Sequence, residues 1–162
     1  VTVVAGAVGT LAGGRWADRA LARTPGALAA AAWDEPGAKA GTNALLRVCG
    51  LSTAIAVPFV VACFLMPTAG LFFAAAFVAE IFLFLSTSPV SAIGLRAVPP
   101  ELRASAMAAM IFAIHLFGDL WSPSLLGLLK DHLVPAIAMM VVPLTFAWAA
   151  YLWWPRAREA RA

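Results

Sequence analysis

A histidine and a carboxylate lie four residues apart in the apolar stretch IHLFGDLWSP, at His115 and Asp119. On a helix, residues spaced by four are neighbours on one face, and Ser122 extends that face. An imidazole changes its charge near neutral pH, and a nearby carboxylate stabilises the charged form. These side chains indicate a group that exchanges protons beside a substrate path. The alternative is a hydrogen bond that only holds helices together.

A second polar stripe precedes the first in the chain. Glu80, Thr87 and Ser91 are spaced so that one face of a helix can carry all three. Ionisable groups inside a membrane usually face the interior of a helix bundle or a water-filled path. We therefore expect both stripes to contact substrate or coupling protons. For Glu80 the alternative is a protonated side chain in an interhelical hydrogen bond.

Two prolines predict helix kinks beside these stripes. Pro89 ends the sequence STSP and Pro123 ends WSP, so each follows hydroxyl side chains. Proline lacks a backbone N–H and clashes with the carbonyl four residues earlier, which bends a helix. A nearby hydroxyl can satisfy the carbonyl that loses its donor.

The chain carries no pattern typical of an enzyme or a metalloprotein. It contains no G-x-S-x-G, no H-E-x-x-H and no glycine-rich phosphate loop. His115 and Asp119 lack a third ligand for a metal ion. Cys49 and Cys63 would lie about 21 Å apart on one helix, too far for a disulfide. We expect no catalytic residue, no metal and no cofactor.

The composition predicts an all-α membrane protein. Of 162 residues, 63% are hydrophobic and 12% are charged, whereas a soluble domain carries about 25% charged residues. A chain of this length has too little interior to bury so much apolar surface. The net charge of +3 is spread between apolar segments, which argues against a nucleic-acid partner.

Five apolar segments are predicted to be transmembrane spans. The last four can each cross a hydrocarbon core of about 30 Å as a helix. The first corresponds to about 21 Å of helix, so we expect a span that is truncated at its beginning. The predicted spans are residues 1–14, 44–66, 69–95, 104–129 and 135–154.

The basic residues predict the orientation of these spans. Ten of the eleven Lys and Arg residues lie in or beside the segments 15–43 and 96–103 and the C-terminal tail. Alternation of the spans puts these three segments on one side, which the positive-inside rule assigns to the cytoplasm. The alanine-rich composition is typical of a bacterial protein, so we expect the inner membrane.

The sequence GGRWADRALAR resembles the cytoplasmic signature of the major facilitator superfamily, G-x-x-x-D-R-x-G-R-[RK]. It departs from that signature at Leu21 and Ala22, which replace a glycine and an arginine. In the family this segment latches the cytoplasmic ends of neighbouring helices. The resemblance therefore implies a gating segment made by Gly14, Asp18, Arg19 and Arg23.

A longer likeness covers the last half of the chain. The pattern V-P-x-x-x-R begins at Val98, and H-L-x-G-D-x-x-S-P-x-L-x-G begins at His115. Both patterns are similar to those of the Spinster-like branch of the superfamily. The resemblance implies five helices that form most of the C-terminal six-helix half of a twelve-span fold, at about spans 8 to 12.

The same resemblance implies a function. Spinster-like members are secondary transporters that work by alternating access, and the resemblance implies proton-linked or facilitated export of lysophospholipids or sphingoid amphiphiles. The partners implied are such a substrate, protons, membrane lipid and the missing N-terminal half. The alternatives are an exporter of drugs or organic anions, a non-transporting membrane scaffold and, least favoured, a membrane enzyme that acts on lipid head groups.

Overall fold

The computed structural model describes residues 2–28, 36–132, 134 and 138–159. These residues form helices and contain no strand. The helices are α1 Thr2–Ala22, α2 Pro36–Leu65, α3 Ala69–Phe84, α4 Thr87–Arg96, α5 Arg103–Ala113, α6 Ser122–His132 and α7 Val141–Glu159. A 3₁₀ turn at Pro100–Leu102 precedes α5, and a π-helical turn at Ile114–Asp119 joins α5 to α6.

Three helical stretches within the described ranges are long and apolar enough to cross a membrane. They are Gly37–Leu65, Ala69–Arg96 and Pro100–His132. They contain the third and fourth predicted spans and all of the second except Met66. The fifth predicted span contains a shorter apolar helix, Val141–Trp154. The expected all-α membrane fold is confirmed.

The first helix is longer than the sequence predicted. We expected a loop from residue 15 to residue 43, whereas α1 continues to Ala22 and α2 begins at Pro36. Residues 15–22 contain neither glycine nor proline and are rich in alanine and arginine, which favour a helix. The turn that follows contains Gly26, whose φ of 73° suits a residue without a Cβ.

The third predicted span is interrupted, because α3 ends at Phe84 and α4 begins at Thr87. Pro89 lies one turn beyond the break and is fully buried. Since proline has no N–H, the carbonyl of Leu85 loses its usual donor four residues later. The hydroxyl of Ser86 donates to the carbonyl of Leu83 at 2.7 Å. The break therefore leaves a carbonyl that faces α1.

Small residues on α1 allow it to lie against this break. Its buried positions recur every fourth residue, and four of the five are alanine or glycine. A Cβ at Gly9 would overlap with the carbonyl of Ile81, and one at Gly13 would overlap with the carbonyl of Leu85. Close backbone approach of this kind is the usual reason for small residues between membrane helices.

Helix α2 lies at the centre of the described bundle and packs against α1, α3, α4 and α7. Its buried residues include Cys49 and Cys63, which are both free thiols. A core cluster lies where the N-terminal half of α2 meets the ends of α1 and α4. It contains Ala17, Leu21, Ala27 and Leu45, with Ala92 and Ile93 against it.

Candidate functional site

The π-helical turn forms the centre of the candidate site. In this turn the N–H of Leu120 donates to the carbonyl of His115, five residues earlier, at 3.0 Å. Pro123 cannot donate to the carbonyl of Asp119, and the hydroxyl of Ser122 donates to the carbonyl of Gly118. The proline therefore marks the point where the wide turn gives way to α6.

His115 and Asp119 contact each other in this turn. The imidazole Nδ1 lies 2.5 Å from the carboxylate Oδ2, which is within hydrogen-bond distance. The two side chains are 67% and 65% exposed in the isolated chain. The pair therefore remains accessible to a substrate or a proton from outside the helix.

A cavity of about 830 Å³ lies beside this pair, between α6 and α7. Asp119 and Ser122 contribute polar atoms where α6 begins, and Thr145 contributes a hydroxyl from α7. The remaining walls are mostly apolar and include Leu125, Leu129, Val142 and Phe146. The cavity thus combines one carboxylate with a long apolar wall.

The second polar stripe lies elsewhere in the bundle. The hydroxyl of Thr2 on α1 donates to Oε1 of Glu80 at 2.9 Å, and Oε2 is buried without a partner among the described residues. Glu80 thus makes the interhelical bond that was its alternative interpretation. Ser91 donates to the carbonyl of Thr87 at 3.0 Å within α4. The cavity beside α6 includes none of these three side chains.

The predicted gating residues lie on or just after the last turns of α1, not in a loop. Asp18, Arg19 and Arg23 are exposed, and Gly14 is half-buried. This part of α1 lies against the break between α3 and α4, where Leu85 and Ser88 are close to the α1 backbone. The structure therefore places this segment beside the interrupted span.

Arg96 is a residue whose contact the sequence did not reveal. Its Nη2 donates to the carbonyl of Ala27 at 2.7 Å, and its Nε is buried without a partner in the described part of the chain. A Cβ at Gly41 would lie 2.8 Å from Nη2, so the glycine leaves room for the guanidinium. Arg96 and Ala27 are 69 residues apart, so no local pattern could indicate the contact.

No three His, Cys, Asp or Glu side chains come together as a metal site within the ranges that the structure describes. The arrangement can bind a cationic or hydrogen-bonding head group at Asp119 and an apolar tail along α6 and α7.

Comparison with curated proteins finds relatives in Arabidopsis thaliana. Probable sphingolipid transporter spinster homolog 2 is 36% identical over 132 residues. Spinster homologs 3 and 1, with the same description, are 32% and 30% identical over 133 residues. Each match covers 82% of this chain. The chain is a Spinster-like sequence of the major facilitator superfamily.

The resemblance expected from the H-L-x-G-D-x-x-S-P-x-L-x-G pattern is thereby confirmed. The Spinster-like chain spans 22–24% of the length of these relatives and matches a C-terminal portion of them. No family model and no solved structure matches the chain.

Proposed function

We propose that this Spinster-like chain is part of a secondary transporter that exports lysophospholipid or sphingoid-type amphiphiles. The observation that carries the proposal is the cavity between α6 and α7. Its lining includes the carboxylate of Asp119, the hydroxyls of Ser122 and Thr145, and leucine side chains along α6. From Asp119 to Leu129 the helix extends about 15 Å, which suits an extended acyl or alkyl tail.

The head group is held by Asp119 in this proposal. Sphingoid bases and many lysophospholipids carry an amine or a quaternary ammonium, and the carboxylate of Asp119 beside an apolar cavity wall attracts such a cation. The hydroxyl of Thr145 lies on the opposite wall and can meet a hydroxyl of the substrate. The three relatives are named as probable sphingolipid transporters, which supports this substrate class.

The contact between His115 and Asp119 supports the proton coupling in this proposal. The imidazole Nδ1 lies 2.5 Å from the carboxylate Oδ2, so a proton on Nδ1 would lie between the two groups. An ammonium head group that reaches Asp119 competes for the same carboxylate, which favours release of the imidazole proton to water. Substrate and proton thus compete for the carboxylate of Asp119, and alternating access carries them to opposite sides of the membrane.

The orientation of the chain in this proposal follows the basic residues. Arg96 contacts the carbonyl of Ala27, so the α1–α2 connection and the end of α4 lie together. This contact supports the prediction that segments 15–43 and 96–103 share one side, which we assign to the cytoplasm of a bacterial inner membrane. Asp18, Arg19 and Arg23 would then act at the cytoplasmic gate.

The substrate role of Asp119 is tested by Asp119→Asn in the full-length protein, reconstituted in proteoliposomes. We expect uptake of a sphingoid base to fall at least about tenfold, because an amide does not pair with an ammonium as a carboxylate does. The matched control is Asp131→Asn, which removes an exposed carboxylate of the same helix outside the cavity. Equal losses in both variants would contradict the proposal.

The substrate class is tested by competition in the same proteoliposomes. We expect lysolipids and sphingoid bases to inhibit uptake of the labelled amphiphile and small organic anions to leave it unchanged. Inhibition by organic anions alone would favour the alternative of an organic-anion exporter.

The role of His115 is tested by the pH dependence of transport. His115→Ala removes the group that holds the coupling proton, so we expect uptake to vary little between about pH 5 and pH 8, where histidine changes its charge. His132→Ala, at the end of α6, is the control. If His115→Ala keeps the pH profile of the unchanged protein, His115 is not part of the coupling.

A further inference from the structure

A second pocket, of about 480 Å³, lies at the basic end of α1. Trp16 and Arg19 line it from α1, Arg23 lines it from the turn just after α1, and Leu85 closes it from the α3–α4 break. The spacing of three and four residues brings the indole and both guanidiniums to the same side of the helix. The N–H of Arg23 donates to the carbonyl of Arg19 at 3.2 Å, so the helical geometry extends to the last arginine.

The two arginines form no ion pair within the part of the chain that the structure describes. Both are exposed, as is the neighbouring Asp18. Two guanidiniums beside one pocket thus present a charge of about +2 to whatever enters it. Repulsion between like charges on one helix face is unfavourable, and an anion between them removes it.

We propose that this pocket binds the phosphate of a membrane phospholipid. Arginine binds phosphate through a planar fork of N–H donors, and basic pockets between membrane helices hold anionic head groups. Tryptophan is enriched at the level of the lipid head groups. Leu85 and the alanines of α1 give the pocket an apolar wall that can meet the glycerol backbone or the start of an acyl chain.

The phosphate could also come from a soluble compound, and the structure favours the lipid. The indole of Trp16 is only half-buried, so a free phosphate would leave its exposed face against water, whereas a lipid covers that face. The site is separate from the cavity beside α6, with which it shares no residue. The lipid is therefore a resident partner rather than the transported substrate.

The test is native mass spectrometry of the whole chain in detergent, titrated with phosphatidylglycerol. We expect the double variant Arg19→Ala/Arg23→Ala to bind this lipid at least about tenfold more weakly, since each basic side chain near an anionic lipid contributes about 1 kcal/mol. The matched control is Arg15→Ala/Arg103→Ala, which removes two exposed arginines that lie outside the pocket. Circular dichroism verifies that both variants remain helical.

Two results would overturn the proposal. Equal losses of affinity in the two double variants would mean that lipid binding depends only on the net charge of the protein. Displacement of phosphatidylglycerol by millimolar inorganic phosphate would mean that the pocket takes a soluble anion. Retention of lipid is measured without transport, so a failure here is distinguishable from a failure of the proposed substrate path.

Discussion

Gly13 and Gly14 are adjacent in the sequence but have different surroundings in the fold. A Cβ at Gly13 would overlap with the carbonyl of Leu85, which is backbone and cannot move aside. A Cβ at Gly14 would lie 3.7 Å from the hydroxyl of Ser88, an ordinary contact distance. The first glycine is thus required by the close approach of α1 to the break between α3 and α4.

This difference gives a prediction about stability. We expect Gly13→Ala to lower the free energy of unfolding by about 1–3 kcal/mol through overpacking. Gly14→Ala should leave it unchanged or raise it by up to about 1 kcal/mol, because alanine favours a helix more than glycine does. Thermal unfolding in one detergent compares the two variants. Equal midpoints would show that α1 does not lie against Leu85.

At the residue scale, the sequence predicted local contacts and missed distant ones. The contact between His115 and Asp119 follows from their spacing of four. The partner of Glu80 could not be predicted, because Thr2 is 78 residues away. The lining of the cavity by Thr145 was missed for a similar reason, since the apolar sequence around it carries no distinguishing signal.

At the element scale, two of the prolines inside the predicted spans, Pro58 and Pro89, differ in their effect. Pro58 is exposed, and α2 continues through it from Pro36 to Leu65. Pro89 is fully buried just after the break that separates α3 from α4. The kink near Pro89 was predicted from STSP. The extension of α1 to Ala22 was not, because basic residues were assigned to a loop although they also form helices well.

Substitution of each proline by alanine separates these roles. Pro89→Ala removes a buried ring and should lower the free energy of unfolding by about 2 kcal/mol. Pro58→Ala restores a donor inside a continuous helix and should leave stability unchanged or raise it. Thermal unfolding midpoints provide the measurement. A more stable Pro89→Ala variant would mean that the break is a weakness of the helix rather than part of the α1 contact.

At the scale of the whole molecule, packing is uneven. Helices α1, α3, α4 and α7 pack around α2. In contrast, the stretch Pro100–His132, which is long and apolar enough to cross a membrane, has no buried residue. Its exposed apolar side chains include Phe112, Phe117 and Trp121. In a membrane these faces meet lipid or other helices, which is consistent with a chain that matches only a portion of its relatives.

Arg96 closes the basic end of this bundle, and its loss should open that end. Arg96→Met removes the donor to the carbonyl of Ala27, and we expect trypsin cleavage after Arg23 and Lys39 to increase about tenfold. A hydrogen bond from a charged group contributes about 1.5–3 kcal/mol, and the cleavage rate rises with the population of open molecules. Arg103→Met, at an exposed arginine, is the control. Identical digestion rates of the two variants would contradict the closing role of Arg96.

The wide turn at Ile114–Asp119 has a mechanical consequence for everything after it. A π turn contains one residue more than an α turn, so its conversion to regular α-helix would rotate α6 about its axis by about 100° relative to α5. The leucines of α6 would then point to a different side of the helix relative to α5. A small shift in hydrogen bonding could thus change which side chains line the cavity, through rotation of α6 about its own axis rather than a change in its direction.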